Sequence, residues 1–443
     1  MALGALLALP LLAAGLLLAD WWNAVPDYVE AKYVGRQSCL ECHQAEAHAW
    51  HGSHHDLAMD IATDETVLGD FDDAELTTYG VTTRMFRRDG KHFMHTEGPD
   101  GKAADFEVKY VFGVTPLQQY LAETERPADA KPNEIGRLQV LPATWDAVRN
   151  EWYHLDPPDV HERVLHDDRL HWTGVGQNWN RMCADCHSTN LQKNFDSAAR
   201  QYHTTFSEID VSCEACHGPG SVHVELATAT SAFWDRKRGY GLAKLKGADP
   251  RPQLDTCARC HVRRQRVVAP NYTPGEPFYD YFANEFIREG AYYADGQIRD
   301  EVYVYGSFIQ SKMFHKGIRC TDCHDPHTTK VKYNDNRLCT SCHTHPAGKY
   351  DTPAHHHHNV NSSGASCVEC HMPHTTYMEV DPRRDHSLRV PRPDLSVKFG
   401  TPNACTACHI DAKKLGPAAQ AAVEHSHTRE PLADYASWLA AAR

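Results

Sequence analysis

The pattern Cys-x-x-Cys-His occurs eight times in this chain, and it constrains the fold more than any other feature. The cysteine pairs are Cys39 and Cys42, Cys183 and Cys186, Cys213 and Cys216, Cys257 and Cys260, Cys320 and Cys323, Cys339 and Cys342, Cys367 and Cys370, and Cys405 and Cys408. The histidines that follow them are His43, His187, His217, His261, His324, His343, His371 and His409. Together the motifs use all 16 cysteines, leaving none for a disulfide or a thiol nucleophile. This is the attachment pattern of a c-type haem, in which two sulfurs add to the porphyrin vinyl groups and the histidine ligates iron. Residues i and i+3 share one face of a helical turn, so both sulfurs reach one porphyrin edge. Zinc knuckles are the competing reading of Cys-x-x-Cys. With 31 His in 443 residues, a given position is His about one time in fourteen, so eight chance successes are excluded. The sequence therefore predicts eight covalently attached haems.

At about one haem per 55 residues, the porphyrins supply much of the apolar core, which the chain itself, 41% hydrophobic, need not. The expected fold is mainly α with long loops, organised around the haems, with a small antiparallel β insertion between haems 1 and 2. Formal charge is −13, and each haem adds roughly one further negative charge through its propionates. That disfavours nucleic acid and anionic membrane surfaces as partners, and favours basic redox proteins or small neutral and cationic substrates.

Residues 2–19 carry no charge, and Trp21 and Trp22 follow as an aromatic belt would. Residues 1–22 are thus expected to be an uncleaved membrane anchor, a transmembrane helix, with a secretory signal peptide as the alternative. Either places the body outside the cytoplasm, in the periplasm or on an extracytoplasmic face. Residues 23–65 carry the first haem. Residues 66–155 lack cysteine; Thr82–Phe86, His92–Thr96 and Asp105–Phe112 alternate polar and apolar, and Arg-Asp-Gly-Lys and Gly-Pro-Asp-Gly-Lys turns separate them. This stretch is expected to be a β-rich lid. Residues 156–411 form the multihaem core, where 323–329 and 370–376 repeat one another. Residues 412–443 are expected to be a helical tail.

The second axial ligand decides the chemistry. Two neutral imidazoles leave iron able only to pass electrons, whereas one missing ligand opens a site for a nitrogen or sulfur compound. A histidine just after its own motif lies on the wrong side of that ring but can reach a neighbouring haem. By placement the candidates are His55, His171, His203, His223, His315, His327, His357, His358 and His386. The run His355 to His358 can supply one or two ligands. Methionine shows no pattern; Met59 and Met372 are expected to pack.

Several strings carry a resemblance. Trp50-His-Gly-Ser-His-His55 and Cys213-Glu-Ala-Cys-His-Gly-Pro-Gly-Ser-Val-His223 look like segments of the cytochrome c-552/4 family. Cys367-Val-Glu-Cys-His-Met-Pro followed by Asp385-His386 resembles the C-terminal half of pentahaem nitrite reductases and octahaem hydroxylamine oxidoreductases. Over about 35–410 the chain is similar to exported multihaem cytochromes with doubled motifs. The resemblance implies bis-histidine ligation through positions matching His55, His223, His327 and His386, and haems stacked in close pairs. No Cys-x-x-Cys-Lys occurs, so the nitrite reductase's catalytic haem is not transferred. The expected function is electron transfer along a haem chain to or from a redox partner. The alternatives are an oxidoreductase with one five-coordinate haem, and a subunit of a cytochrome filament.

Overall fold

The computed structural model describes residues 2–23, 29–156, 160–228, 240–267 and 272–409. The expected helical tail, 412–443, lies outside them, as do His425 and His427. The chain divides into two compact units. Unit 1 comprises 1–256, 272–277 and 327–329; unit 2 comprises 257–271, 278–326 and 330–443.

Unit 1 is built on two antiparallel sheets. The four-stranded one is a meander of β2 (Ala74–Thr78), β3 (Val81–Arg88), β4 (Lys91–Glu97) and β5 (Ala103–Glu107). The other runs β1 (Met59–Ile61), β6 (Tyr110–Phe112), β7 (Leu117–Glu125), β9 (Ala143–Asp146), β10 (Glu151–His154), with β8 (Arg137–Val140) also pairing β7. The β3–β4 connection is a two-residue hairpin closing on Arg88 opposite Lys91. Asp89 and Gly90 both take positive φ, 51° and 71°, the mirror-image turn that suits strand twist and favours Asp-Gly. Alternation then decides the faces: Met85 and Met94, directly opposed, point inward to Phe71, Tyr120 and Trp145, and their neighbours point out.

Tyr120 on β7 anchors this core. Its ring meets Phe71 edge-on at 5.4 Å and Trp152 at 5.2 Å, and its hydroxyl accepts the Gly69 N–H at 3.0 Å. Burial pushes the phenol's pKa up, so it stays protonated. Tyr120→Phe keeps the packing but strands that amide. A loss of about 1–3 kcal/mol in unfolding free energy is expected from denaturant titration.

The second core cluster, with Met59, Phe112, Leu121, Leu138 and Trp179 at its centre, lies where the sheet meets the chain around Cys183. Buried Asn180 ties the two together: its carbonyl accepts from Leu138 N and its amide donates to Gly136 O and Thr204 Oγ1. Met59 is thus a packing residue.

Among its described residues unit 2 has only two-stranded ribbons, Arg264–Arg266 with Phe282–Asn284 and His374–Tyr377 with Asp381–Arg384, among short helices and loops. Mainly α is therefore the wrong class: 27% of residues are helical and 22% are in strands, spread over several antiparallel sheets. The reason is length. The motif helices Cys213–His217, Cys320–Cys323 and Cys367–His371 are single turns of four or five residues. Turns that short do not propagate in water, whereas the alternating 59–154 stretch builds sheets.

The expected membrane anchor also lacks support. Residues Ala2–Asn23 are helical, with Pro10 inside. Among the described residues, however, no helix is long and apolar enough to cross a membrane.

Candidate haem-binding sites

Each described motif forms one helical turn, with the histidine N–H or its neighbour bonded back to the first cysteine's carbonyl; His43 N to Cys39 O and His343 N to Cys339 O are examples. None of the 16 cysteines is in a disulfide. Thiols of different motifs also meet. In unit 1 the Cys39 and Cys213 side chains are hydrogen-bonded. In unit 2 the same holds for Cys257 with Cys320 and for Cys339 with Cys367. Cys323 feels Cys342, and Cys370 feels Cys405. Attachment edges therefore stand next to one another.

The imidazoles are arranged to match. An imidazole bound at about 2 Å on each face of one metal puts the two ring centres roughly 6 Å apart. Among the described residues at least five of the motif histidines have a second imidazole at that separation. In unit 1 these are His43 with His223 at 6.0 Å and His217 with His327 at 6.3 Å. In unit 2 they are His324 with His386 at 6.3 Å, His371 with His355 at 6.2 Å, and His409 with His358 at 5.7 Å.

Hydrogen bonds set the tautomer. The Nδ1–H groups of His187, His223, His371 and His386 donate to the carbonyls of Ala58, Tyr240, Arg389 and Arg384 at 2.9–3.0 Å. Each bond leaves the Nε2 lone pair free for a metal. Burial does the complementary work of keeping rings neutral. It lowers the pKa of His187, His324 and His386, and takes His217 to about 4 with help from the imidazoles of His327, His43 and His223. A neutral ring with a free Nε2 is what iron ligation requires. The donor set of paired thiols and paired neutral imidazoles fits a covalently held haem. Among the described residues no group of three or more His, Cys, Asp and Glu converges as a metal-ion site.

Of the other candidates, His171 is buried with Nδ1 2.8 Å from Thr173 Oγ1, and His203 lies 2.8 Å from the Glu134 carboxylate. His315 stacks edge-on to Phe314, and His357 caps the Pro353–His356 helix in the left-handed conformation. Among the described residues none of these four is seen to stand against a motif histidine. His55 accepts Val211 N at its carbonyl, beside the Trp50–Val211 hydrogen bond. His355 was not among the ligands singled out by placement; the run of four histidines was the available signal.

A buried carboxylate organises the site around Cys213. Glu214, inside the motif, accepts Val34 N, Gly35 N and Gly220 N at 2.8–3.0 Å. Arg36 beside it pairs with Glu208 and Asp210. Burial raises Asp210 to about 6 despite that guanidinium.

Comparison with known proteins agrees with this chemistry. Residues 159–218 match the family of cytochrome c554 and c-prime, and residues 312–348 match the doubled CXXCH motif. No curated protein matches. Among solved structures the chain is similar to the outer cell wall cytochrome OcwA, with 18% identity and a TM-score of 0.55. The likeness covers 85% of this chain and 83% of that one, and it concerns the fold.

Proposed function

We propose that this chain is a multihaem c-type cytochrome, holding eight haems and passing electrons along them to or from a redox partner outside the cytoplasm. Haem c supplies one-electron chemistry, its iron alternating between ferric and ferrous. The chain's residues do the rest. Cysteine pairs fix the porphyrin edges, and backbone carbonyls hold the imidazoles in the ligating tautomer. The observation that carries this reading is the set of five imidazole pairs at 5.7–6.3 Å. A site closed on both faces binds no substrate and can only relay charge. Thiol contacts between motifs support passage from one site to the next.

An extracytoplasmic place is supported by the chemistry of c-type attachment and by the name of OcwA, an outer cell wall cytochrome. The formal charge of −13 favours a partner with a basic face. In this division 23–65 carries the first haem, 66–155 is the lid and 156–411 holds the other seven. Intact-mass measurement of the exported protein is expected to give the polypeptide plus eight haems, and ferric EPR to be dominated by low-spin signals. A mass without them overturns the reading, as does steady turnover of a small substrate with no partner present.

One observation favours a second role at a single site. His187 is oriented as a ligand, with Ala58 O on Nδ1 and Phe112 edge-on at 5.4 Å, yet among the described residues no second imidazole faces it. A five-coordinate iron there would take a small nitrogen or sulfur oxyanion. A high-spin ferric signal that shifts with nitrite and is perturbed by Phe112→Leu is expected. All-low-spin spectra from a fully loaded protein would remove this role.

A further inference from the structure

The sixth motif departs from the five closed ones in a different way. Cys342, His343 and every residue from Ser341 to Tyr350 are exposed, whereas most other motif cysteines are half-buried. Where the closed sites have a second imidazole, His343 has a phenol set sideways: Tyr350, at 6.4 Å and 83°. That ring is also edge-on to His345 and His355, each at 5.9 Å, so it packs among imidazoles and does not face the His343 ring as an axial group. Of the run His355 to His358, two members already stand against other motif histidines, His371 and His409. Among the described residues none is left opposite His343.

The site is nonetheless tied firmly into unit 2. Asn336, at the head of its helix, donates to Asp351 Oδ1 at 2.8 Å and to Ala365 O at 2.9 Å, and accepts Cys367 N at 2.9 Å. Cys339 touches Cys367 of the seventh motif, and Cys342 is within electrostatic reach of Cys323 of the fifth. A frayed loop would keep none of these links.

We propose that the haem held by Cys339, Cys342 and His343 receives no second ligand from the described residues, and that its sixth position is a solvent-facing site for small diatomic or anionic ligands. It lies between two neighbouring attachment sites, so it is a lateral port in the relay and not its end. Lys349, 5.8 Å from the Tyr350 ring centre, adds a positive charge on the same exposed stretch, which suits an anion. The inference rests on the multihaem reading above, and haem content and ligand binding are measured separately.

The test uses carbon monoxide on the dithionite-reduced, fully loaded protein. Cys339→Ser/Cys342→Ser is expected to lower haem content from eight to seven and carbon monoxide uptake by one per chain. His343→Gly, which keeps the thioether links, is expected to move one carbon monoxide Soret component, with added imidazole restoring it. Uptake that is unchanged in both variants overturns the proposal while leaving the haem count intact. So does a dimer in which uptake appears only on dilution, because a second copy then fills the position. A wild-type protein without covalent haem fails the multihaem reading instead.

Discussion

His386→Ala is expected to convert one haem equivalent per chain from low to high spin and to destabilise unit 2 by about 2–4 kcal/mol. His386 is held from three sides. Its ring stands 6.3 Å from His324, its Nδ1–H donates to Arg384 O at 2.9 Å, and its backbone N–H donates to Ser307 Oγ at 3.0 Å. The preceding Asp385 is buried and accepts Ile298 N and Ser387 N, which fixes the chain direction just before the ring. Alanine keeps that backbone frame but leaves a void where the imidazole stood and an open face opposite His324. Ferric EPR reads the first effect and denaturant titration followed by Soret dichroism the second. His386→Met is the informative companion: it refills the volume, and a thioether ligand raises the potential of that haem. An alanine variant with all haems loaded and no new high-spin signal would show that His386 is not the partner of His324.

Glu214→Ala is expected to cost about 3–5 kcal/mol, the largest loss for any single side chain in unit 1. The carboxylate is 2% exposed and lies inside the Cys213 motif. It gathers the N–H groups of Val34, Gly35 and Gly220, so one side chain pins the N-terminal segment onto the third attachment helix. Removing it strands those donors, and Arg36 on the same segment loses its placement against Glu208 and Asp210. The same segment leads into Cys39, whose thiol contacts Cys213. Glu214→Gln should fall between: one oxygen still accepts, but an amide nitrogen then faces amide donors. Limited proteolysis near residues 30–36, together with the denaturant midpoint, separates the variants. Equal stability of wild type and alanine variant would mean these bonds are made to water at no cost.

Several features could be read without coordinates. The local turn of each Cys-x-x-Cys-His motif could, because its residues lie within five positions of one another. The β3–β4 hairpin could as well, since Asp89-Gly90 favours the required positive φ and alternation assigns the faces. Other features were hidden. Single-turn helices leave no periodicity, so motif density suggested a helical protein although sheets hold a comparable share of the chain. In the run of four histidines no residue-level signal separates His355 from His357. The separation comes from the backbone, where His357 turns left-handed at a helix end and His355 is left facing His371.

By itself, the sequence determined what each site is made of: thiol pairs, one histidine following each, and an acidic chain to carry them. It did so because those choices are made within five residues. Tertiary structure alone decided which imidazole stands opposite which. His43 meets His223 and His324 meets His386 only after long stretches of chain have folded between them. Coordination geometry depends on distances through space, and no short stretch of residues encodes those.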